Sequence, residues 1–129
     1  LAAAFFWSPV AGLDFAQAEE KNRVFEIRTY YANEGKLDAL LARFRDHTVT
    51  LFKKHGMTNV GYWVPVDNKE NKLVYMLAFP SREARNKAFK AFSADPDWQK
   101  AYKESTKDGR LVKKIVNDFL AGTDFSKIK

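Results

Sequence analysis

RVFEIRTYYANEGKLDALLARFRDHTVTLFKKHGMTNVGYWV, residues 23–64, reads as strand, turn, long helix, turn and strand, and the rest of the chain repeats that theme. From Val24 to Tyr31 two sets alternate. Phe25, Ile27, Thr29 and Tyr31 make an apolar face, while Val24, Glu26, Arg28 and Tyr30 put an acid, a base and a phenol on the other. Period-two alternation rich in β-branched and aromatic residues is the pattern of a half-buried strand. One face is expected to pack under a helix, with Glu26, Arg28 and Tyr30 turned toward a second subunit or a ligand. The plainer reading makes Glu26 and Arg28 a structural ion pair and the rings packing. Ala32 to Gly35 supplies a turn. Leu37, Leu40, Leu41, Phe44, Thr48, Leu51 and Phe52 then recur at three and four residues, which is one apolar stripe along a helix. Gly56 suits the left-handed residue that ends such a helix.

Working outward, Thr58 to Val66 reads as a second strand, and the polar segment DNKENK, residues 67–72, connects it to a third, Leu73 to Phe79. Ser81 opens a helix through Ala84, Ala88, Phe89 and Phe92. Asp95, Pro96 and Asp97 then place an N-cap acid, a first-position proline and a first-turn acid before Trp98, so a separate helix runs from there to about Lys107. Arg110 to Leu120 is a strand candidate, with a helix as the alternative, and Ala121 to Lys129 reads as irregular surface chain. The order β, α, β, β, α with an extra helix, β is a ferredoxin-like α+β fold: a four-stranded antiparallel sheet with helices on one face. The uncovered face would carry Val74, Met76 and Ala78. An exposed apolar sheet invites pairing with a second copy, giving a homodimer and a dimeric α/β barrel.

Composition bounds the chemistry. A chain of 129 residues suits one domain, and with no cysteine it has neither a disulfide framework nor a thiolate metal site or nucleophile. The net charge is +6. Its Lys and Arg residues are scattered singly among acids, which is a solvated surface rather than a nucleic-acid footprint. Residues 1–22 read as an export-signal remnant or flexible N-terminal segment, because Ala16, Gln17 and Ala18 give a small-x-small pattern before Glu19 and Glu20. The expected location is therefore periplasmic or extracellular, with membrane contact only if this segment is retained. Residues 23–120 are then the folded domain and 121–129 a C-terminal tail.

Several stretches in one order carry a family resemblance: VFEIRTYY followed by EGK at residues 34–36, FRDHTVTLFKKHGM at 44–57, VGYWVP at 60–65, LVYMLAFPSREAR at 73–85, ADPDW at 94–98 and the closing FLAGTDFSKIK. The chain resembles the NIPSNAP family of dimeric α/β-barrel proteins, in particular its short exported bacterial members, over residues 23–129. Gly122 departs from the pattern, where a bulkier or proline-like residue is expected. The resemblance implies the fold read above and a homodimer, but no established reaction, and fold alone does not assign one. Dimeric barrels similar in fold include oxygen-using enzymes and haem-handling proteins whose usual site is the cleft between sheet and helices. Arg28, Tyr30, His47, Trp63, Tyr75 and Trp98 are accordingly the candidate ligand-binding residues, for an aromatic or anionic small molecule.

His47 and His55 do not form a metal site, since eight residues of helix separate them by roughly 12 Å. No metal is expected, nor a glycine-rich phosphate loop or a Ser/His/Asp arrangement. The leading expectation is an exported homodimer that binds a small ligand or another protein without catalysis and without a cofactor. The alternative is an oxidoreductase or isomerase, monooxygenase-like or haem-handling, using His47 with Arg28 and Tyr30.

Overall fold

Residues 23–129 are described by a computed structural model, so the export-signal reading lies outside the described residues. Strand β1 (Val24–Ala32) is the spine. It pairs antiparallel with β3 (Lys72–Phe79) on one side and with β4 (Val112–Ala121) on the other. β2 (Thr58–Trp63) adds to the far edge of β3, giving the order β2-β3-β1-β4. Every neighbouring pair is antiparallel, as the ferredoxin-like reading requires, and the pairing of residues 112–121 with β1 decides strand over helix there. β2 stops at Trp63 rather than continuing to Val66. Pro65 has no N–H to give to a ladder, and Val66 stands fully exposed.

Three helices cover one face. The first, α1, consists of α-helical turns Leu37–Arg43 and Val49–Lys54 joined by a π-helical turn, Phe44–Thr48. The apolar stripe read from the sequence is the buried side: Leu40, Phe44, Leu51 and Phe52 join Leu73, Tyr75 and Leu77 of β3 in one core. Gly56 follows α1 at φ +80°, where a side chain would be strained. Helix α2 (Arg82–Ala94) is capped by Ser81, whose hydroxyl accepts from the N–H of Ala84 at 3.0 Å. Helix α3 (Pro96–Ser105) begins at Asp95, whose carboxylate accepts from the N–H of Asp97 at 2.9 Å. The same carboxylate takes Lys54 Nζ at 2.8 Å and lies 2.7 Å from His55 Nε2, which ties the end of α1 to the start of α3. Those three partners hold Asp95 well below the usual carboxylate range. His55 is thus a structural clasp.

The register decides which side of β1 lies under the helices, and here the structure corrects the sequence reading. Residues directly opposite each other share a sheet face. Arg28 stands opposite Tyr75 and Asn117, and Tyr75 is wholly buried beneath α1. The face bearing Glu26, Arg28 and Tyr30 is therefore the helix side, not one turned to a second subunit. The outer face carries Ile27, Val74, Met76 and Val116, with Trp63 at its edge. That face is partly covered by the chain's own tail. Residues 122–128 lie back over Phe25, Met76 and Leu120, and the Arg23 guanidinium donates to the main-chain oxygen of Lys129 at 3.1 and 3.2 Å. Gly122 is required by this path, because a Cβ there would sit 2.5 Å from Cβ of Lys129.

An aromatic cleft between sheet and helices

Two layers of side chains lie on the helix side of the sheet: an ionic layer around one fully buried carboxylate and an open aromatic one. In the ionic layer Glu26 is 0% exposed, yet every bond its carboxylate needs is made. Arg85 of α2 forks onto both oxygens at 2.8 and 2.9 Å, Arg28 donates at 2.7 Å, and Asn117 of β4 donates at 2.9 Å. Burial pushes its carboxyl up, but the bonds from Arg85, Asn117 and Arg28 outweigh it and hold the group below its usual value. Phe89 and Phe119 close the layer, with the Arg85 guanidinium 4.4 Å from the ring centre of Phe89 and that of Arg82 3.5 Å from Phe119. Arg28 spends its other nitrogens on Tyr75 Oη at 2.8 Å and Tyr30 Oη at 3.2 Å, and Tyr75 donates to Tyr30 at 3.1 Å. Tyr30 Oη thus accepts twice, and its own proton remains to be donated.

Above this layer lies a cleft of about 320 Å³ between β1, β4 and the three helices. Its walls are rings: Tyr30 of β1, Phe44 of α1, Phe89 and Phe92 of α2, Trp98 and Tyr102 of α3. Phe92 and Trp98 lie 4.6 Å apart between centres, and Tyr30 meets Phe44 edge to face at 5.6 Å. Set among them is Arg43, only 5% exposed, its guanidinium 5.3 Å from the ring centres of both Trp98 and Tyr102. One of its terminal nitrogens donates to Ser105 Oγ at 3.2 Å, while its Nε has no hydrogen-bond partner. Burial lowers the pKa of this guanidinium. Exposed Arg110 and Lys113 stand where the cleft meets solvent.

Of the six residues singled out from sequence, the cleft collects Tyr30 and Trp98. Arg28 and Tyr75 lie one layer behind Tyr30 and order it without lining the cleft. His47 is on the outer side of α1, exposed in a shallow groove beside Lys100 and Glu104 of α3. Trp63 is 53% exposed at the sheet edge, folded back over Gly61 on the outer face. Arg43, Tyr102 and Phe92 were not anticipated. Arg43 was detectable in principle, as a cation flanking the apolar stripe between Leu40 and Phe44.

Of the usual haem axial ligands the cleft lining offers only the phenols of Tyr30 and Tyr102, with no His, Cys or Met, and a volume of about 320 Å³ is small for the macrocycle. Among the described residues no three His, Cys, Asp or Glu side chains are grouped to hold a metal ion, and no helix is long and apolar enough to cross a membrane.

The strand order and the helices on one face define a ferredoxin-like α+β domain with an aromatic cleft between them. The profile of the NIPSNAP family matches residues 25–127, and the chain belongs to that family. Among solved structures it is similar to a NIPSNAP family protein of unknown function from Agrobacterium tumefaciens, at 27% identity and a TM-score of 0.74, over 84% of this chain and 96% of that one. An uncharacterized NIPSNAP-like domain protein from Burkholderia xenovorans shares the fold at 18% identity and a TM-score of 0.72, over 82% and 90% of the two chains. A putative antibiotic biosynthesis monooxygenase from Nitrosomonas europaea shares it more distantly, at 12% identity and a TM-score of 0.55, over 77% and 97%. No curated protein matches the sequence.

Proposed function

We propose that this NIPSNAP protein is an exported, homodimeric domain that binds a small aromatic molecule in the cleft between sheet and helices, without catalysing its conversion. The observation that carries this reading is the cleft itself: a ring-walled space of about 320 Å³, within the ~300–1,000 Å³ range of small-molecule sites. The oxidoreductase reading needs His47 with Arg28 and Tyr30, and only the last two meet: Arg28 donates to Tyr30, whereas His47 is on the outer side of α1. The likeness to a monooxygenase is one of fold alone.

Trp98 reports on the cleft directly. Titration with single-ring aromatic compounds is expected to quench or shift its emission saturably at millimolar concentration or below, and Trp98→Phe should remove that response. A flat titration, with the protein folded by circular dichroism, would sink the cleft as a ligand site.

The dimer is supported by the outer face, where Trp63, Val116 and Leu120 leave large apolar surface in water despite the returning tail. Sedimentation at micromolar concentration should give twice the monomer mass, and Val116→Asp should give the monomer. An unmodified protein that sediments as a monomer refutes this part of the reading. Export is supported by the Ala16-Gln17-Ala18 pattern ahead of the acidic pair, and an N-terminal mass on secreted material tests it.

A further inference from the structure

We infer that the cleft selects a single-ring aromatic molecule carrying a carboxylate, and that Arg43 is the group that binds the carboxylate. This inference rests on the reading of the cleft as a ligand site.

The chain treats its buried cations in two ways. Arg28 and Arg85 are largely buried around Glu26, which receives both, so their charge is answered by a carboxylate of the fold. Arg43 is buried more deeply than either and has no carboxylate partner among the described residues. Its guanidinium hydrogen-bonds a serine hydroxyl and faces two rings, and Nε is left with a proton and no acceptor. Folded proteins pair nearly all buried polar groups, and an unpaired donor on a buried charge is a costly exception. A carboxylate supplies what is missing once the guanidinium turns its edge to the cleft, since Nε is shut off from solvent and that edge offers two parallel N–H groups matched to two carboxylate oxygens.

The backbone around Arg43 is also unusual. The π-helical turn Phe44–Thr48 begins at the next residue, with Val49 N–H bonded to Phe44 O, five residues back. The Thr48 hydroxyl, itself buried, closes onto the carbonyl of Arg43 at 3.3 Å. Such turns cost regular hydrogen bonding and are found most often where a helix must re-aim a functional side chain. Here the turn adjoins the one residue of α1 that puts a buried charge into the cleft.

The remainder of the ligand follows from the walls. Rings at Phe44, Phe92, Trp98 and Tyr102 favour a flat aromatic body, and the volume admits one ring with a short substituent. No Asp or Glu lines the cleft, so nothing there repels an anion, while Arg110 and Lys113 at the opening attract one. The ring of Tyr30 forms the sheet-side wall.

The test compares benzoate and phenylacetate with their neutral counterparts benzamide and phenylacetamide, by calorimetry or Trp98 emission, at fixed ionic strength. The acids are expected to bind at least about tenfold more tightly, the usual effect of a charge-assisted pair over a neutral one. Arg43→Met should erase that preference and leave weak binding of both series, and Arg43→Lys should restore part of it. Arg43→Met should also melt at the same temperature as the unmodified protein or higher, because it removes an unanswered buried charge. Equal affinity for acids and amides overturns the anion assignment while leaving the cleft as a site. Saturable binding by neither series overturns both readings. A melting point lowered by several degrees in Arg43→Met makes the residue a structural prop and overturns its role as the anchor.

Discussion

Glu26→Ala is expected to destabilise the domain by about 3–5 kcal/mol, the range found when one member of a buried ion pair is removed. The reason is not the loss of an attraction alone. Without the carboxylate, Arg28 and Arg85 are left largely covered by Phe89 and Phe119, two like charges facing each other with no acceptor between them, and Asn117 loses its partner. For a domain of this size the melting temperature should fall by roughly 10–30 °C. Acid does the same work more gradually. The folded protein holds the Glu26 carboxyl below its usual value, so its contribution is fully present above the unfolded carboxyl's titration and is lost as pH falls through the lower folded value. Stability measured by urea denaturation should therefore decline below about pH 4, and the decline should be smaller in Glu26→Ala, which has already lost it. A melting temperature within a few degrees of the unmodified protein would show that the ionic layer is solvated and loose rather than sealed.

That layer also marks where sequence reading reached its limit. The helix stripe, the caps at Ser81 and Asp95 and the order of strands were legible because each rests on neighbours within four residues, and the structure places Leu40, Phe44, Leu51 and Phe52 where the spacing put them. The sidedness of β1 was not legible. Alternation says that Glu26, Arg28 and Tyr30 share a face, but which face is buried depends on Arg85, fifty-nine residues away, arriving to neutralise Glu26. An acid reads as outward until its partner is known. The same distance hid the site. Tyr30 and Trp98 were anticipated as rings, whereas Arg43 looked like one more solvated cation on a helix, and only the packing of α3 against α1, with Trp98 and Tyr102 over the guanidinium, makes it a buried one. Pro65 could have bounded β2, and Gly122 could have announced a close approach. What it approaches is Lys129, and that pairing is a property of the folded tail.

Phe52→Ala is expected to cost about 3 kcal/mol, at the lower end of the ~3–5 kcal/mol seen for such truncations. Phe52 is 1% exposed and contacts Phe44, Tyr75, Phe89 and Phe92, with ring centres 4.8–6.3 Å away, so it joins α1 to both β3 and α2. Two effects compete in setting the size of the loss. The transfer term is that of a whole phenyl ring and is large. The cavity term is reduced, because Phe52 also lines the cleft and the hole left behind opens into it rather than closing as a sealed void. Sealed apolar cavities stay empty and carry their full penalty, while one continuous with an open cleft is relieved by whatever enters. The two cases separate in the presence of an apolar ring. Benzene or toluene should raise the melting temperature of Phe52→Ala more than that of the unmodified protein, since the variant's enlarged cleft binds it better and the folded state gains by mass action. If the loss reaches 5 kcal/mol and no apolar ring restores any of it, the space around Phe52 is closed off from the cleft. The ring wall would then be core alone, and the ligand site would have to be sought among Trp98, Tyr102 and Arg43 without it.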